Sequence, residues 1–468
     1  MASNKVIVGQ TLKVAEDVLK TDKTISPGVR TVVTSLMDVV SLLSNQIGLN
    51  SSNSSKPPSS DPNRSRNKKQ VKGKKRKAGG QVGHKGFRLE PVAVPTTIEE
   101  LKIDQRTLPP GNWRSEGVEK RQVFDIEVSF SVTEYQAEVL INNAGEVYVA
   151  EFPEGVTEPA QYGLGVKSTS VYLSQYQLIP QARVQDAFST QYGLSMSKGS
   201  VNNFNIAAAK RLREWNFESW LRSQQVSSDL LHADETGANV NGVLHWIHCL
   251  SNGELTYFHI DAKRGQEAMD AMGVIPNFTG KLVHDHWKPY FTYLCTHVLC
   301  NAHHLRELER AYEQDGQKWA QRMKRLLEKI NAEVHRSGGS LSDQKIQKYQ
   351  KAYRRILKAA STECPENLKS RAQSKSRNLL ERLGAFEDET LMFMTDDDVP
   401  FTNNQGERDL RMNKVQQKIS GCFRTMRGAR DFCLIRSYLS TCRKRGLHPM
   451  ESLRMLFENK PPDFMKSD

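Results

Sequence analysis

The sequence predicts a mixed α/β protein with a small mixed sheet, a large helical insertion and helical N-terminal regions. Between residues 228 and 300, short apolar runs follow one another at hairpin distances, and one helix-like stretch interrupts them. Residues 302–390 are helical in pattern and rich in Lys, Arg and Glu. The chain has 468 residues, of which 38% are apolar. A chain of this length and composition can supply about two to four domains with cores of their own.

The N-terminal region, residues 1–50, is predicted to form a helical arm. Its apolar positions recur at helical spacing and are interrupted near Ser26-Pro27-Gly28. A helical hairpin or a coiled-coil arm would bury the apolar stripe against itself or against a second copy of the chain. The stripe comprises Val32, Val33, Leu36, Val39, Val40, Leu43 and Ile47.

Residues 51–91 are predicted to be a flexible basic linker, because most of this stretch contains almost no apolar residue. Between residues 64 and 88 there are eleven Lys or Arg and no acid, which leaves only +2 of the net charge of +13 for the rest of the chain. Such a local charge favours a polyanion, above all nucleic acid, over the alternative of a solvated linker. The predicted DNA-contacting residues here are Arg64, Arg66, Lys68, Lys69, Lys72, Lys74, Lys75, Arg76, Lys77, Lys85 and Arg88.

The next region, residues 92–160, is predicted to be a small β module. Its strand-like runs are rich in Val, Ile, Tyr and Phe, which favour strands. Asn142–Gly145 has the composition of a hairpin turn. The runs cover residues 122–128, 132–140 and 146–150.

Residues 161–225 return to a helical pattern and are predicted to form a bundle of about three helices. Pro180 and the region of Gly193 break the pattern. Binding of DNA ends through a helix-turn-helix and service as a plain spacer are both open alternatives for this bundle.

Residues 226–303 are predicted to form the first part of the central sheet. Three antiparallel strands, a crossover helix and further strands follow one another, which is the order expected of a ribonuclease-H-like sheet. A helical insertion at 304–395, a second core part at 396–450 and a C-terminal tail at 451–468 complete the chain. The predicted strands are Leu230–Ala233, Val243–Leu250, Leu255–Ile260, Lys281–Val283 and Thr296–Leu299, and the predicted helix is Gly265–Met272.

Two acidic residues of this core stand at the ends of apolar runs. Asp234 follows Leu230–Ala233, and Asp285 follows the run that starts at Lys281. A strand end holds a carboxylate rigidly outside the sheet, where it can bind a metal ion, although aspartate there is also a common turn residue. Two such acids with one helical glutamate could hold two Mg²⁺ ions for phosphodiester chemistry.

Glu407 is the candidate glutamate, and it has a competing interpretation. Asn404 with Glu407 three residues later resembles a capping box, in which the glutamate only fixes the start of a helix. At ~100° per residue, however, three basic residues share the face of Glu407, whereas Met412, Val415 and Ile419 form a separate apolar side. The basic stripe favours a metal-binding glutamate beside a DNA backbone, since each cation can meet a phosphate. This stripe comprises Arg411, Lys414 and Lys418.

Histidines near the acids offer a zinc-hydrolase alternative. Nine of the twelve histidines lie between His232 and His304, and Cys300 lies among them. Imidazole and thiolate ligands favour Zn²⁺ over Mg²⁺. Cys300 and His303 could hold a structural metal, but two ligands are too few to define one.

Cysteine usage and hydropathy predict the compartment. All seven cysteines lie at or after Cys249 and none forms a CxxC pair, so a disulfide framework is not expected. The sequence has no apolar stretch of 18 residues and no signal-peptide pattern, so no membrane partner is expected. We therefore expect a cytoplasmic, nucleoid-associated protein.

The acids lie within a series of longer motifs. These are His232–Gly237, Val240–Trp246, Lys263–Gly265, Val283–Tyr290, Cys300–Leu308, Thr402–Arg411 and Lys418–Arg424, with Asn50–Asp61 and Gly79–Gly86 upstream. Together they resemble the transposases of the IS66 insertion-sequence family, and the resemblance covers about residues 50 to 445.

The resemblance implies a DDE transposase with a ribonuclease-H-like core, in which Asp234, Asp285 and Glu407 are the catalytic triad. It implies two Mg²⁺ ions, with Mn²⁺ as a substitute, held by these three acids. Water would attack a phosphodiester at the element's end, and the freed 3′-hydroxyl would then attack target DNA. Cys300 and His303 match the family's C-x-x-H signature, as structural or supporting residues whose role stays open.

The resemblance also implies partners. DNA is expected as the element's terminal inverted repeats and as the target, a homo-oligomer is expected on DNA, and small accessory proteins of the element are candidates. The family usually places paired-cysteine zinc ligands in the small module after the basic linker. Residues 89–160 contain no cysteine, so zinc binding is not expected there. The alternative functions are a catalytically idle, transposase-derived DNA-binding protein and a zinc-dependent hydrolase.

Overall fold

The structure is a computed structural model. It describes residues 2–22, 24–47, 50, 53–54, 89–114, 116–126, 128–366 and 373–466. Its N-terminal arm consists of two helices. Helix α1 covers Ala2–Thr21 and helix α2 covers Pro27–Ile47, so the predicted break near Pro27 is confirmed. The apolar stripe of α2 is not buried against this chain, since Val32, Leu36 and Leu43 are each more than half exposed. These positions do not support burial of the stripe within one chain, and its burial against a second copy stays a prediction. Of the predicted basic linker, residues 53–54 and 89–91 are described, whereas all eleven of its cations lie outside the described residues.

The predicted β module is a single short hairpin. Strands β1 (Val139–Ile141) and β2 (Val147–Val149) pair antiparallel around a turn in which the Gly145 amide donates to the carbonyl of Asn142. The predicted strand at 122–128 and the first part of that at 132–140 are wrong, because no described residue of either segment is in a strand. Their apolar residues favour strands but face solvent without a partner, and Val123 is 93% exposed.

Residues 161–225 form four helices rather than three. They are α3 (Leu164–Val171), which continues as a π-helical turn at Tyr172–Tyr176, α4 (Gln181–Tyr192), α5 (Lys198–Glu214) and α6 (Phe217–Val226). The breaks at Pro180 and Gly193 are confirmed, since the first precedes α4 and the second ends it. The helices bury Val201, Leu212 and Phe217 in a core that they share with the central sheet.

The central sheet has five strands in the order β5-β4-β3-β6-β7. Strands β3, β4 and β5 are antiparallel, whereas β6 and β7 run parallel to β3. Asn241 and Gly242 both have positive φ, 50° and 83°, which is the geometry of a two-residue hairpin between β3 and β4. The bounds are β3 Leu230–Val240, β4 Val243–Ser251, β5 Thr256–Asp261, β6 Lys281–His284 and β7 Thr296–Leu299, and helix α7 (Gln266–Met272) precedes β6.

Helices follow β7 and build a second core. They bury Trp319, Met323, Leu327 and Tyr353 completely, so this region packs around its own apolar centre. The predicted helical character of residues 302–390 is confirmed over 302–366 and 373–390, the parts of this range that the structure describes. The helices are α8 (Asn301–Asp315), α9 (Lys318–Ser337), α10 (Asp343–Glu363), α11 (Lys375–Ala385) and α12 (Glu387–Leu391).

Three helices close the fold: α13 (Asn404–Ser420), α14 (Met426–Lys444) and α15 (Pro449–Phe457). Helix α14 covers the free edge of β5, where the Phe258 amide donates to Ser437 Oγ (2.9 Å) and the Thr256 amide to Thr441 Oγ1 (3.1 Å). The fold is thus a mixed α/β one, as predicted. Among the helices assigned in this structure, none has the length and apolar character needed to cross a membrane.

Candidate active site

The two aspartates stand side by side on neighbouring parallel strands. Strands β3 and β6 pair through His232 and Val283, so continuing that register by two residues places Asp234 opposite Asp285. Neighbouring strands are about 4.8 Å apart. Asp285 directly follows β6, as predicted. Asp234 does not end its strand, because β3 continues along β4 to Val240, and the predicted strand end is wrong there.

Glu407 reaches this edge of the sheet from the first turn of α13. Asn403, which precedes that helix, fixes its start to β3: Nδ2 donates to the carbonyl of Ala233 and Oδ1 bonds His232 Nδ1, both at 2.7 Å. At the far end of α13, Gln417 Nε2 donates to the carbonyl of Gly237 (2.9 Å). Residues on either side of Asp234 thus hold the helix that carries Glu407.

The capping-box interpretation of Glu407 is wrong. Asn404 is the first residue of α13 rather than its cap, and Asn403 at the cap position makes no side-chain hydrogen bond to the helix. The Asn403 side chain lies instead over Gly406, where an added Cβ would be 3.0 Å from its Oδ1. Glycine therefore leaves room for the contact with β3, and the carboxylate of Glu407 is free for other groups. Arg306 Nη2 lies 3.6 Å from Glu407 Oε1.

The three carboxylates share one electrostatic environment. Burial, and after it the neighbouring negative charges of Glu235, Glu407 and Asp285, raise the pKa of Asp234 to about 8. Burial likewise raises the pKa of Asp285 to about 6, with Glu235 as the next cause. Ionised together, these acids repel one another, and a cation between them would relieve that cost. Oxygen donors of this kind suit Mg²⁺ or Mn²⁺.

Backbone amides orient two of the acids. Asp234 Oδ1 accepts the amide hydrogen of Glu235 (2.9 Å), and Asp285 Oδ1 accepts that of Trp287 (3.0 Å). Each aspartate keeps its second oxygen for a further partner. The acid pair is thereby held rigidly, as a metal site requires.

Glu235 is an anchored acid whose surroundings sequence reasoning missed. Its side chain is 3% exposed, Oε1 accepts from Arg264 Nε (3.0 Å) and Nη2 (2.6 Å), and Oε2 accepts from Tyr290 Oη (2.8 Å). The Arg264 guanidinium lies 4.2 Å from the ring centre of Trp287 and 4.8 Å from that of Trp246. The signal was present in the sequence, because Arg264 and Tyr290 belong to two of the motifs noted above.

Asp409 is occupied as well. Its Oδ2 accepts from Lys444 Nζ at 2.6 Å and from Gln405 Nε2 at 2.9 Å. This ion pair joins α13 to α14, so the role of Asp409 is structural. Of the acids at the start of α13, Glu407 is the one that interacts with Asp234.

Most of the clustered histidines are packing groups. Burial lowers the pKa of His284 to about 3 and that of His286 and His259 to about 4, so these rings are neutral. His284 contacts the carbonyl of Asp285 and bonds His297 (3.1 Å). Within the described ranges, one group of three ligating residues stands close enough for a metal: Cys300, His303 and Glu407, whose ligand atoms lie within 4.8 Å of one another.

The predicted basic stripe lies on the exposed side of α13. Arg411, Lys414 and Lys418 are exposed, and Lys414 Nζ also donates to the carbonyl of Gly237 (3.3 Å). On the apolar side, Met412 and Val415 pack against a buried core. Ile419 does not join them, because it lies near the helix end and is 47% exposed.

A family model described as "Transposase IS66 family" matches residues 160–431, which is more than half of the chain and includes all three acids. A second model, "Family of unknown function (DUF6444)", matches residues 21–90. The comparison with curated proteins gives no match.

Among solved structures, the chain is similar to one described as "CryoEM structure of simian T-cell lymphotropic virus intasome in complex with PP2A regulatory subunit B56 gamma". That similarity has 11% identity and a TM-score of 0.14, and it covers 45% of this chain and 74% of the other. At so low a TM-score it carries no argument.

Proposed function

This chain belongs to the IS66 transposase family, and on that premise we propose that it is an active DDE transposase. In this proposal it cleaves the DNA ends of its element and transfers the freed strands into target DNA. The proposal rests on one observation: Asp234, Asp285 and Glu407 come from three separate segments and lie close together. The charges of Asp285 and Glu407 both raise the pKa of Asp234. A capping box does not explain Glu407, and Asp234 lies within a strand rather than in a turn, although Asp285 also accepts the Trp287 amide as a turn residue does.

We infer that the sheet is a ribonuclease-H-like core. Three antiparallel strands followed by two parallel ones, in the order β5-β4-β3-β6-β7, agree with the order expected from the sequence. In this arrangement Asp234 lies on the central strand and Asp285 follows its parallel neighbour. The helices α8 to α12 then form the insertion between the second aspartate and the glutamate.

The residues of the site suit two Mg²⁺ ions, with Mn²⁺ as a substitute, and Asp234, Asp285 and Glu407 would hold them. Such ions supply activation of the attacking oxygen and stabilisation of the leaving oxygen of a phosphodiester. The protein's own part is to orient the acids through the amides of Glu235 and Trp287, and to fix Glu407 through Asn403. Arg306 Nη2, 3.6 Å from Glu407 Oε1, balances part of the charge of this carboxylate.

Two basic surfaces would hold the DNA backbone. One is the α13 face with Arg411, Lys414 and Lys418. Another is a cavity of about 400 Å³ beside His303, which is lined by Arg306, Arg310, Lys375 and Arg382. Contacts of this kind position DNA without reading its sequence. The cations at residues 64–88 remain a prediction of the same kind, and residues 161–225 are a weaker candidate for reading the terminal repeats.

The proposal includes a homo-oligomer on paired element ends, small accessory proteins of the element as candidate partners, and association with the nucleoid. Among these partners, DNA is the one that membership of the transposase family supports directly. The exposed stripe of α2 is a surface that a second copy could cover.

The test is cleavage of DNA that carries the segments flanking this reading frame, in Mg²⁺. Asp234→Asn, Asp285→Asn and Glu407→Gln should each lower the rate by at least about a thousandfold, since a metal ligand stabilises the transition state by several kcal/mol. Glu254→Gln is the control, because that side chain is 70% exposed and pairs only with Arg445. Full cleavage by any of the three variants would remove that residue from the triad.

The same assay separates the alternatives. End-specific binding with no nicked or joined product in Mg²⁺ or Mn²⁺ would identify a catalytically idle DNA-binding protein. Activity that a zinc chelator abolishes and Zn²⁺ alone restores would identify a zinc-dependent hydrolase.

A further inference from the structure

The C-x-x-H motif has no part in the proposed chemistry, yet it lies against one of its acids. We propose that Cys300, His303 and Glu407 form a binding site for a thiophilic divalent cation of the Zn²⁺ class, which shares Glu407 with the Mg²⁺ site. The sulfur, the imidazole nitrogen and the carboxylate oxygen lie within 4.8 Å of one another. Closure by about 1 Å would bring them to the mutual spacing of ligands around one zinc ion.

The local backbone explains why the first two donors converge. Cys300 stands at the cap position of α8, and the His303 amide donates to the carbonyl of Cys300 (3.1 Å), so both side chains belong to one helical turn. The start of this helix is fixed to the start of α13, because the Asn403 amide donates to Cys300 Sγ (3.1 Å). The same residue that positions Glu407 therefore positions the thiol beside it.

One of the donors has a buried atom that lacks a partner. The His303 side chain is an imidazole, which coordinates a metal ion in its neutral form. Its Nδ1 is buried, and no hydrogen-bond partner reaches it from any described part of the chain. A buried nitrogen without a partner is costly, and a bound cation would satisfy it. The amide hydrogen that Cys300 Sγ accepts from Asn403 would support the thiolate.

The chemistry of the three donors selects the cation. A thiolate and an imidazole favour Zn²⁺ over Mg²⁺, whereas the aspartates offer oxygen alone. Binding would release the Cys300 thiol proton to solvent, and the thiolate and the Glu407 carboxylate together would balance the two positive charges. Arg306, now 3.6 Å from Glu407, would give up that contact.

One consequence rests on the proposed function. If Glu407 completes the Mg²⁺ site, then a cation bound by Cys300, His303 and Glu407 would take this glutamate away from Mg²⁺. Zn²⁺ would therefore inhibit Mg²⁺-dependent cleavage. Zn²⁺ would in that case act at Glu407 rather than by replacing Mg²⁺ between the aspartates.

The experiment is a titration of the full-length reduced protein with Co²⁺, which reports a bound thiolate by its charge-transfer absorption, followed by competition with Zn²⁺. We expect one equivalent to bind with that absorption in the wild type. Cys300→Ser should abolish the absorption. His303→Gln should weaken Co²⁺ binding by at least roughly 10- to 100-fold. That is the cost of losing an outer partner of a metal site, and His303 is a direct ligand in this proposal. Cys422→Ser is the matched control, because Cys422 is the exposed cysteine of the chain and should not contribute.

The outcomes are distinct. Absence of a thiolate absorption in the wild type, or its persistence in Cys300→Ser, overturns the site whatever the cleavage assay shows. Circular dichroism of Cys300→Ser and His303→Gln excludes loss of fold as the cause. Binding with the expected variant pattern but no cleavage in Mg²⁺ leaves the site in place and refutes the proposed function instead. If cleavage occurs, the factor by which Zn²⁺ lowers the cleavage rate is measured for each variant against its own rate without zinc. This factor should be smaller in Cys300→Ser than in Cys422→Ser.

Discussion

Replacing Asp234 by asparagine should stabilise the protein in the absence of divalent metal, and the gain should grow as pH rises from about 4 to about 8. Its pKa is about 8 in the folded protein against an ordinary value of 3.8. Between these two pH values the unfolded chain releases a proton that the folded chain keeps, so the stability of the folded state falls as pH rises. Each pH unit contributes about 1.4 kcal/mol, which gives an upper bound of about 5 kcal/mol at pH 8 and of about 2 kcal/mol at pH 5.

The assay is calorimetric unfolding of the wild type and Asp234→Asn in EDTA at pH 5 and pH 8.5. We expect the variant to melt several degrees higher than the wild type at pH 8.5, since one kcal/mol shifts Tm by about 2–4 °C in a unit of 150–250 residues. The gain should be much smaller at pH 5. Mg²⁺ should raise the Tm of the wild type at pH 8.5 but not that of the variant.

The control is Asp186→Asn, which changes an exposed aspartate of α4 and should leave Tm unchanged at both pH values. Equal melting of Asp234→Asn and the wild type at pH 8.5 would refute the buried acid cluster. A gain that does not depend on pH would mean that asparagine improves packing rather than relieving a buried charge.

Three further predictions concern the helix that carries Glu407 and the binding of DNA. Asn403→Ala removes two hydrogen bonds to β3 and should lower Mg²⁺-dependent cleavage by at least about tenfold with DNA affinity retained, whereas Asn404→Ala, which changes an exposed neighbour, should do neither. Deleting residues 64–88 should weaken binding to every DNA about equally and reduce the salt dependence, and a loss confined to terminal repeats would show that the segment reads sequence. Lys414→Gln should lower the salt slope of DNA binding by about one, unlike Lys210→Gln on the exposed side of α5.

The sequence predicted the sheet well because its strands are apolar runs with turn residues between them. Asp285 stands where it was expected, since the run before it ends at a true strand end. Asp234 differs, because β4 continues to pair with β3 after β6 has ended, and Thr236, Ala238 and Val240 keep one face buried. Asp234 and Glu235 interrupt the apolar pattern within β3, so the sequence did not show that the strand continues beyond them.

What the sequence could not show is contact between distant segments. Asn403 was noted only as part of the motif Thr402–Arg411, and its bonds to Ala233 and His232 depend on how α13 meets β3. The strand-like runs at 122–128 failed for the opposite reason, because β propensity without a partner strand does not make a sheet. Cys300 and His303 were recognised as a pair, but only the fold brings Glu407 to them as a third donor.

Mn²⁺ binding, followed by electron paramagnetic resonance without DNA, tests the central claim that three separated acids form one metal centre. We predict that Asp234→Asn, Asp285→Asn and Glu407→Gln each weaken the same binding event by at least about tenfold, since loss of even an outer partner of a metal site costs about 10- to 100-fold. An unchanged Mn²⁺ affinity in Glu407→Gln, with both aspartate variants impaired, would show that the glutamate does not belong to that centre and would contradict the account.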